Sequence, residues 1–496
     1  MKLQTSFRIL GLLMATLLAV ACGGGGYGGS SIAGIDRTGL PNFALAFGTI
    51  SGFGSVIVNG VHYDTSTSSF TIDGQPGSQD DLRVGDVVLV QGTLPANSTN
   101  GTATSVIYDD SVEGPISFID GDTSTLIVLG QTVQISADTS FDDRISPASI
   151  DGLSVNDVIE VSGFVSATGS IAATRIEPKA ASTGFEVTGL VSAHNAGAMT
   201  FMINGLTIDY GSQTVLLDNF PGGVITDGDL VEVKGSTSLG AGGELIATRV
   251  EFKANRFGGG ANYHLEVEGL ITRFASQTDF DVSGVTVTTN GSTTFQGDVN
   301  NLGLNVKVEV EGALDSSGTT LVASRVDIRR ARIVRIEATV DSVDASANTF
   351  VALGVAIQVD ALTRIEDKFA NPPVQPFTLA NLNPGNFVRM RGSELTTVGA
   401  TANVLAALLE RDDPRDTELQ GLVDAGSIDA TARTFSILGV TIDASSASTF
   451  RNVDGSSLTA GAFFALLQDG SLARANGSET APTTIVANEV QLELEQ

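Results

Sequence analysis

VEVKGSTSLGAGGELIATRVEFK, residues 231–253, reads as an alternating strand, a glycine, a polar glycine-containing turn and a second alternating strand. VEVEGALDSSGTTLVASRVDIRR (308–330) follows the same order. The pair recurs as IEVSGFVSATGSIAATRIEPK (159–179) and, more loosely, VLVQGTLPANSTNGTATSVIYDD (88–110). VRMRGSELTTVGATANVLAALLE (388–410) fills the place a fifth time, and ALLQDGSLARANGSETAPTTIVANEVQLELE (465–495) a sixth, in degraded form. Self-similarity of this length marks a chain built from one supersecondary unit.

Each unit has a matching front half. A small residue opens it: Gly48, Gly114, Gly189, Gly269, Ala338 and Gly421, spaced 66 to 83 residues apart. An apolar strand with a glycine turn follows: VIVNGVHY, LIVLGQTV, FMINGLTI, FDVSGVTV, FVALGVAI and FSILGVTI. Asn59-Gly60 and Asn204-Gly205 are strong two-residue hairpin signals, because a type I′ turn needs positive φ at both positions. In Val306-Lys307-Val308-Glu309-Val310-Glu311 apolar and charged residues alternate strictly. Period two predicts one wet and one dry face, with a strongly set register. A variable connector, ending in Gly-Asp or a relative (Gly85-Asp86, Gly228-Asp229), reads as a helical turn or a loop. Leu405 to Arg411 reads as strand or helical turn.

Five or so strands in about 70 residues fit a small closed or partly open OB-like barrel better than a two-sheet sandwich, which needs more strands. The expected architecture is all-β, a tandem array of six such beads in a row, each dry inside and acidic outside. The units run 47–111, 112–181, 185–255, 264–331, 333–414 and 417–496. GTISGFGSVIVNGVHYDTS (48–66) resembles the start of the bacterial domain of unknown function 5666 family, whose members are exported proteins with tandem β-repeats. The likeness covers residues 47 to 496 and implies no catalytic residues. Repeat five departs most, with prolines in KFANPPVQPFTLANLNPGNF (368–387).

The start of the chain indicates where the protein works. Lys2 and Arg8 precede an apolar run from Ile9 to Val20, too short to span a bilayer and suited to a secretory signal. Leu18-Ala19-Val20-Ala21-Cys22 resembles the lipobox of bacterial lipoproteins, although Ala19 stands where Leu is more typical. The resemblance implies removal of residues 1–21 and lipidation of Cys22, the only cysteine. An ordinary secretory signal leaving a free thiol is the alternative. Gly23 after the cysteine implies the outer membrane by resemblance to enterobacterial sorting. Residues 22–46 would then tether the barrels, with a reach of about 25–30 Å.

Removing Lys2 and Arg8 from the 27 basic residues leaves 25 against 56 acidic ones, a formal charge of −31. Such a surface repels phosphate backbones, so nucleic acid is excluded as a partner. The membrane, through the anchor, and a glycan or envelope protein remain as partners.

Candidate chemistry is sparse. His62, His194 and His264 occupy three different repeat positions, the last in the connection between repeats three and four, and read as structural or solvated. No HExxH, GxSxG or EF-hand spacing occurs, and no cofactor is expected. Gly240 to Gly243 reads as a hairpin turn. The acid pairs Asp80-Asp81, Asp109-Asp110, Asp142-Asp143 and Asp412-Asp413 read as solvated loops, with weak Ca²⁺ binding as the sharper alternative. Arg325, Arg329, Arg330, Arg332 and Arg335 reverse the local charge. They either pair with acidic faces of neighbouring repeats or form a docking patch for an acidic partner or polysaccharide. The expected function is non-catalytic, a multivalent binding or spacer protein of the envelope. The rival is a glycan-processing enzyme with a carboxylate site in one diverged repeat, repeat five first.

Overall fold

The computed structural model describes residues 43–493 except 96–97, 122, 137–138, 181–183, 213–214, 254–262, 298, 329–333, 370–371, 396–401, 454 and 482. Cys22, the signal and most of the tether lie outside the described residues. Among the described residues no helix is long and apolar enough to cross a membrane.

Repeat one shows the plan. Its strands are β1 (Phe43–Gly52), β2 (Val56–Val58), β3 (Val61–Asp64), β4 (Ser69–Ile72), β5 (Gln75–Gly77), β6 (Val87–Thr93) and β7 (Asn100–Tyr108). β1 pairs with both β2 and β6, β2 with β3 and β6 with β7, all antiparallel. One parallel joint, β3 with β7, closes the ring. Five strands in this order form the OB-type barrel, and closure covers most of the strand edges. Repeats two, three, four and five close by the same set of pairings. In repeat six the last joint is a single bridge, Val423 to Ile437.

The inward residues of the alternating strands fill each ring. Ile50, Val56, Val58, Tyr63, Val88, Val90 and Val106 have no exposed surface. Phe201, Phe280, Phe350 and Phe435 hold the same place in four barrels and are at most 1% exposed. Each such burial is worth about 1.5–3 kcal/mol. The connector is a 3₁₀ turn in repeats one to five, as at Gln79–Asp81, and the helix Ala460–Leu466 in repeat six. Its terminal Asp86 accepts from the Arg83 amide at 2.7 Å, which closes the turn before β6. Val404–Asp412 is a strand.

The glycine after each VEV-type strand is a structural requirement. Gly92, Gly163, Gly235, Gly312, Gly392 and Gly477 each sit where the pairing slips by one residue, a β-bulge. A Cβ there would lie 2.1–2.4 Å from an atom of the facing strand, the backbone carbonyl at five of the six sites and a Leu245 methyl at Gly235. The bulge bends the fourth strand so that a five-stranded ring can close.

The beads are not strung out separately, which corrects the expectation of a row. Over its first half the opening strand keeps one unpaired edge, and each barrel covers it with another barrel's opening strand. Repeat two pairs with three through Val112 and Val187, and repeat five with six through Ile336 and Leu419, both antiparallel. Repeat one passes over its neighbour: β1 runs parallel to the opening strand of repeat four, Ala44 to Phe47 against His264 to Val267. One apolar core runs through barrels two and three, and another through five and six. The outer face of the alternating strands is therefore not wet. Glu309 and Glu311 are 7% and 4% exposed, because the face turned away from the barrel is turned into the seam.

The pairs also touch. Phe164 of repeat two meets Phe47 edge-on at 6.1 Å, and Ser162 Oγ accepts from the Val87 amide at 2.8 Å. The proline-rich connector of repeat five is part of this joint. Pro376 packs on Gly54 of repeat one, while Lys368 Nζ donates to the Phe141 carbonyl of repeat two at 2.6 Å.

Candidate functional site

Because cross-strand partners point to the same face, the seams carry charged rows running across the strands. In repeats five and six, Glu410 faces Arg389, Arg389 faces Glu337, and Glu337 faces Glu418. Glu366 also faces Glu410, so one arginine stands between two pairs of acids in the middle of that row. In repeats one and four, Glu266 faces Glu311, which faces Arg325. The seam of repeats two and three differs. Glu177, Glu160, Glu113 and Glu186 stand side by side on four successive strands before Lys234 and Arg249 continue the row. Like charges directly opposite are destabilising unless something compensates them.

Two aspartates of repeat one add to this row. Tyr108 ends β7, and its hydroxyl donates to Glu160 Oε1 at 2.7 Å. Asp110 follows, 2% exposed, its amide donating to Asp73 Oδ1 at 3.2 Å. Asp73, Asp110 and Glu186 bring one carboxylate oxygen each within 4.8 Å of one another, and so do Asp110, Glu113 and Glu160. Asp110 thus belongs to both groups. Lys179 pairs with Glu160, and Lys234 with Glu186 and Glu232. Lys253 Nζ is 3.0 Å from Asp109 and 2.5 Å from Glu232. Burial, with Glu160 and Glu186 nearby, pushes Asp73 up to about 8. Burial raises Glu186 to about 7 despite Lys234. Burial together with Asp73 and Glu186 holds Asp110 well above the ordinary carboxylate range.

Of the residues singled out in the sequence, Asp110 is the one that lies in this cluster. Its neighbour Asp109 is spent on Lys253. Asp142 and Asp143 reach Arg144 and Lys368, Asp412 reaches Arg415, and Asp81 accepts from the Ser78 amide at 2.9 Å. Asp109, Asp142 and Asp412 thus serve joints, while Asp80, Asp81, Asp143 and Asp413 are exposed, as solvated loops would have them. Asp73, Glu113, Glu160 and Glu186 were missed, although a glutamate recurring inside the VEV motif (Glu160, Glu232, Glu309) was the available signal.

His62 lies on β3 with Nδ1 3.4 Å from Ser55 Oγ, and burial lowers its pKa. His194 Nε2 is 2.6 Å from the Tyr210 hydroxyl. His264 is not in a connection, as expected, but begins the opening strand of repeat four. It is 3% exposed, with Nε2 2.8 Å from Glu266 and 3.7 Å from Glu311. The three histidines stay apart.

Of the arginine cluster, Arg325 is 9% exposed and 3.1 Å from Asp327, and it also donates to Gln296 at 2.7 Å. Arg335 Nη1 is 3.2 Å from Glu418 of repeat six. Arg335 therefore meets an acid of the neighbouring repeat, whereas Arg325 is held within repeat four. Arg329, Arg330 and Arg332 lie outside the described residues.

No curated protein matches the chain. The family model for a domain of unknown function, DUF5666, matches it six times, over residues 48–106, 113–177, 188–251, 268–327, 337–400 and 420–491. These matches fall on the six barrels, and the chain belongs to the DUF5666 family as a tandem array of its repeats.

Proposed function

We propose that this is a non-catalytic lipoprotein of the bacterial outer membrane, held through an acylated Cys22 and a glycine-rich tether, whose six barrels act as a multivalent binding or spacer module. The observation that carries this reading is repetition of one closed fold. Repeated modules add reach and valency, whereas catalysis needs one asymmetric cleft. Repeat five, where a diverged pocket was sought, uses its extra residues to pack. Phe377, Leu379 and Leu382 enter the core, and Pro376 and Lys368 hold repeats one and two. By analogy of fold alone, the ligand class is an oligosaccharide or peptide of the envelope.

Metabolic labelling with a palmitate analogue tests the anchor. The full chain is expected to take up label and sediment with membranes, and Cys22→Ser to lose both. A bare thiol at position 22 in the mature protein, found by mass spectrometry, would refute the anchor. Incubation with a glycan array tests the rest: capture without turnover is expected. Hydrolysis abolished by altering a single Asp or Glu would replace the binding reading with an enzymatic one.

A further inference from the structure

We propose that the carboxylates gathered around Asp110 bind a divalent cation, Ca²⁺ by the character of its ligands, which ties repeat one to the seam of repeats two and three. The cluster alone would not carry this. The second observation is Asp110 itself: it is 2% exposed, and neither Oδ1 nor Oδ2 has a hydrogen-bond partner. An ionised carboxylate is strongly disfavoured in that state, so buried charges are paired or bind metals.

Charge points the same way. Asp73, Asp110 and Glu186 form one triad and Asp110, Glu113 and Glu160 a second that shares Asp110, with Lys179 on Glu160 and Lys234 on Glu186. No ion pair among the described residues reaches Asp110. The seam of repeats five and six has the same architecture but is neutralised by guanidinium groups: Arg389, Arg391, Arg335 and Arg474 meet Glu337, Glu410 and Glu418. Where that seam has arginines, this one has an excess of oxygen ligands.

The ligand set selects among metals. Every donor is a carboxylate oxygen, so a soft or nitrogen-preferring ion such as Zn²⁺ has no favoured ligand. Mg²⁺ retains several waters and demands an octahedral shell, which an irregular set of carboxylates from different strands does not supply. Ca²⁺ accepts six to eight oxygens in irregular geometry, including bidentate carboxylates. Its ligands here would be Asp110 of repeat one with the partners of either triad, Asp73 and Glu186 of repeats one and three or Glu113 and Glu160 of repeat two.

Tyr108 makes the site testable, because its hydroxyl touches Glu160 and the chain has no tryptophan. The full chain is stripped with EDTA and titrated with Tb³⁺ under tyrosine excitation, and its melting temperature is read with and without CaCl₂. Saturable Tb³⁺ emission displaced by Ca²⁺ is expected, with a Tm rise of about 5–10 °C at Ca²⁺ a hundredfold above Kd. Tyr108→Phe should abolish the emission and keep the Tm rise. Asp110→Asn should abolish both while melting no lower than the metal-free wild type, since it replaces a buried acid that has no partner for its side chain. If the wild type shows no Ca²⁺-dependent Tm change, or if its emission survives Tyr108→Phe, the proposal fails. Should Asp110→Asn not fold, the wild type and Tyr108→Phe decide the matter on their own.

Discussion

Gly312→Ala is expected to destabilise repeat four by about 3 kcal/mol or more, although it adds one methyl group and the backbone there has an ordinary φ. The added Cβ would lie 2.1 Å from the Val322 carbonyl oxygen, 2.9 Å from its carbon and 3.0 Å from the Ala323 Cα. All three are backbone atoms of the paired strand, so no side chain can swing away. The sheet itself must open at the bulge that lets the ring close. Overpacking in a core costs about 1–3 kcal/mol where rotamers can adjust, and more where they cannot. Gly291→Ala, in a loop of the same repeat with no atom near the new Cβ, serves as the control and should change stability by less than about 0.5 kcal/mol. Urea denaturation with hydrogen exchange resolved along the chain separates the two. Because β1 is hydrogen-bonded to the opening strand of repeat four, lost protection should spread to residues 44–47. Equal behaviour of the two variants would show that the conserved-looking glycine of the repeat is a turn residue and nothing more.

That glycine illustrates how far the residues speak for the fold. Its recurrence after each alternating strand announces the repeat, and the alternation announces a strand with two unlike faces. What lies against the second face is not written in the period. Glu309 and Glu311 look like solvent-facing residues because a barrel standing alone would leave them in water. They are buried because another barrel's opening strand covers the edge beside them. The pairing of repeat one with repeat four rather than two is equally silent, since all the opening strands carry similar patterns.

The hairpin turns show the limit from another side. Asn59 and Gly60 adopt φ of 52° and 77°, as their sequence demands. Leu129, Leu353 and Leu438 take φ of 47–54° at the same place, where propensity argues against it. At Leu129 the reason is visible: its side chain fills the space left by Gly114, whose Cβ would meet it at 2.4 Å. Packing between the small opening residue and the turn overrides local preference. Of the candidate cation site, the Asp109-Asp110 pair was legible. Its other members come from three repeats and meet only through seam pairing.

Arg391→Leu is expected to cost about 1–3 kcal/mol, because it takes from buried Glu337 its nearest partner and leaves Arg389, 3.3 Å away, to hold the charge. Arg391 Nη2 lies 2.7 Å from Glu337 Oε1, with the two side chains 6% and 10% exposed. Burial alone would keep Glu337 protonated. Arg391, Arg389 and Arg335 overcome it and hold the carboxyl at about 2, below its ordinary 4.5. A folded-state value below the unfolded one means that the unfolded chain binds more protons between those values. The stabilisation from Glu337 is therefore full above pH 4.5 and is lost as pH falls toward 2, a change of about 3 kcal/mol. In Arg391→Leu the carboxyl should titrate higher, so the acid limb of a Tm-against-pH curve should move up by about one pH unit. Adding Glu337→Gln to Arg391→Leu removes the charge left with fewer partners and should recover part of the loss, since replacing both partners costs less than removing one. If the double variant is as unstable as Arg391→Leu, or the acid limb does not move, the seam is held by its apolar core, and the ionic row contributes nothing measurable. The comparison bears on the cation proposal too, because it measures what neutralising a glutamate row between two barrels is worth when the compensating charges are covalently part of the chain.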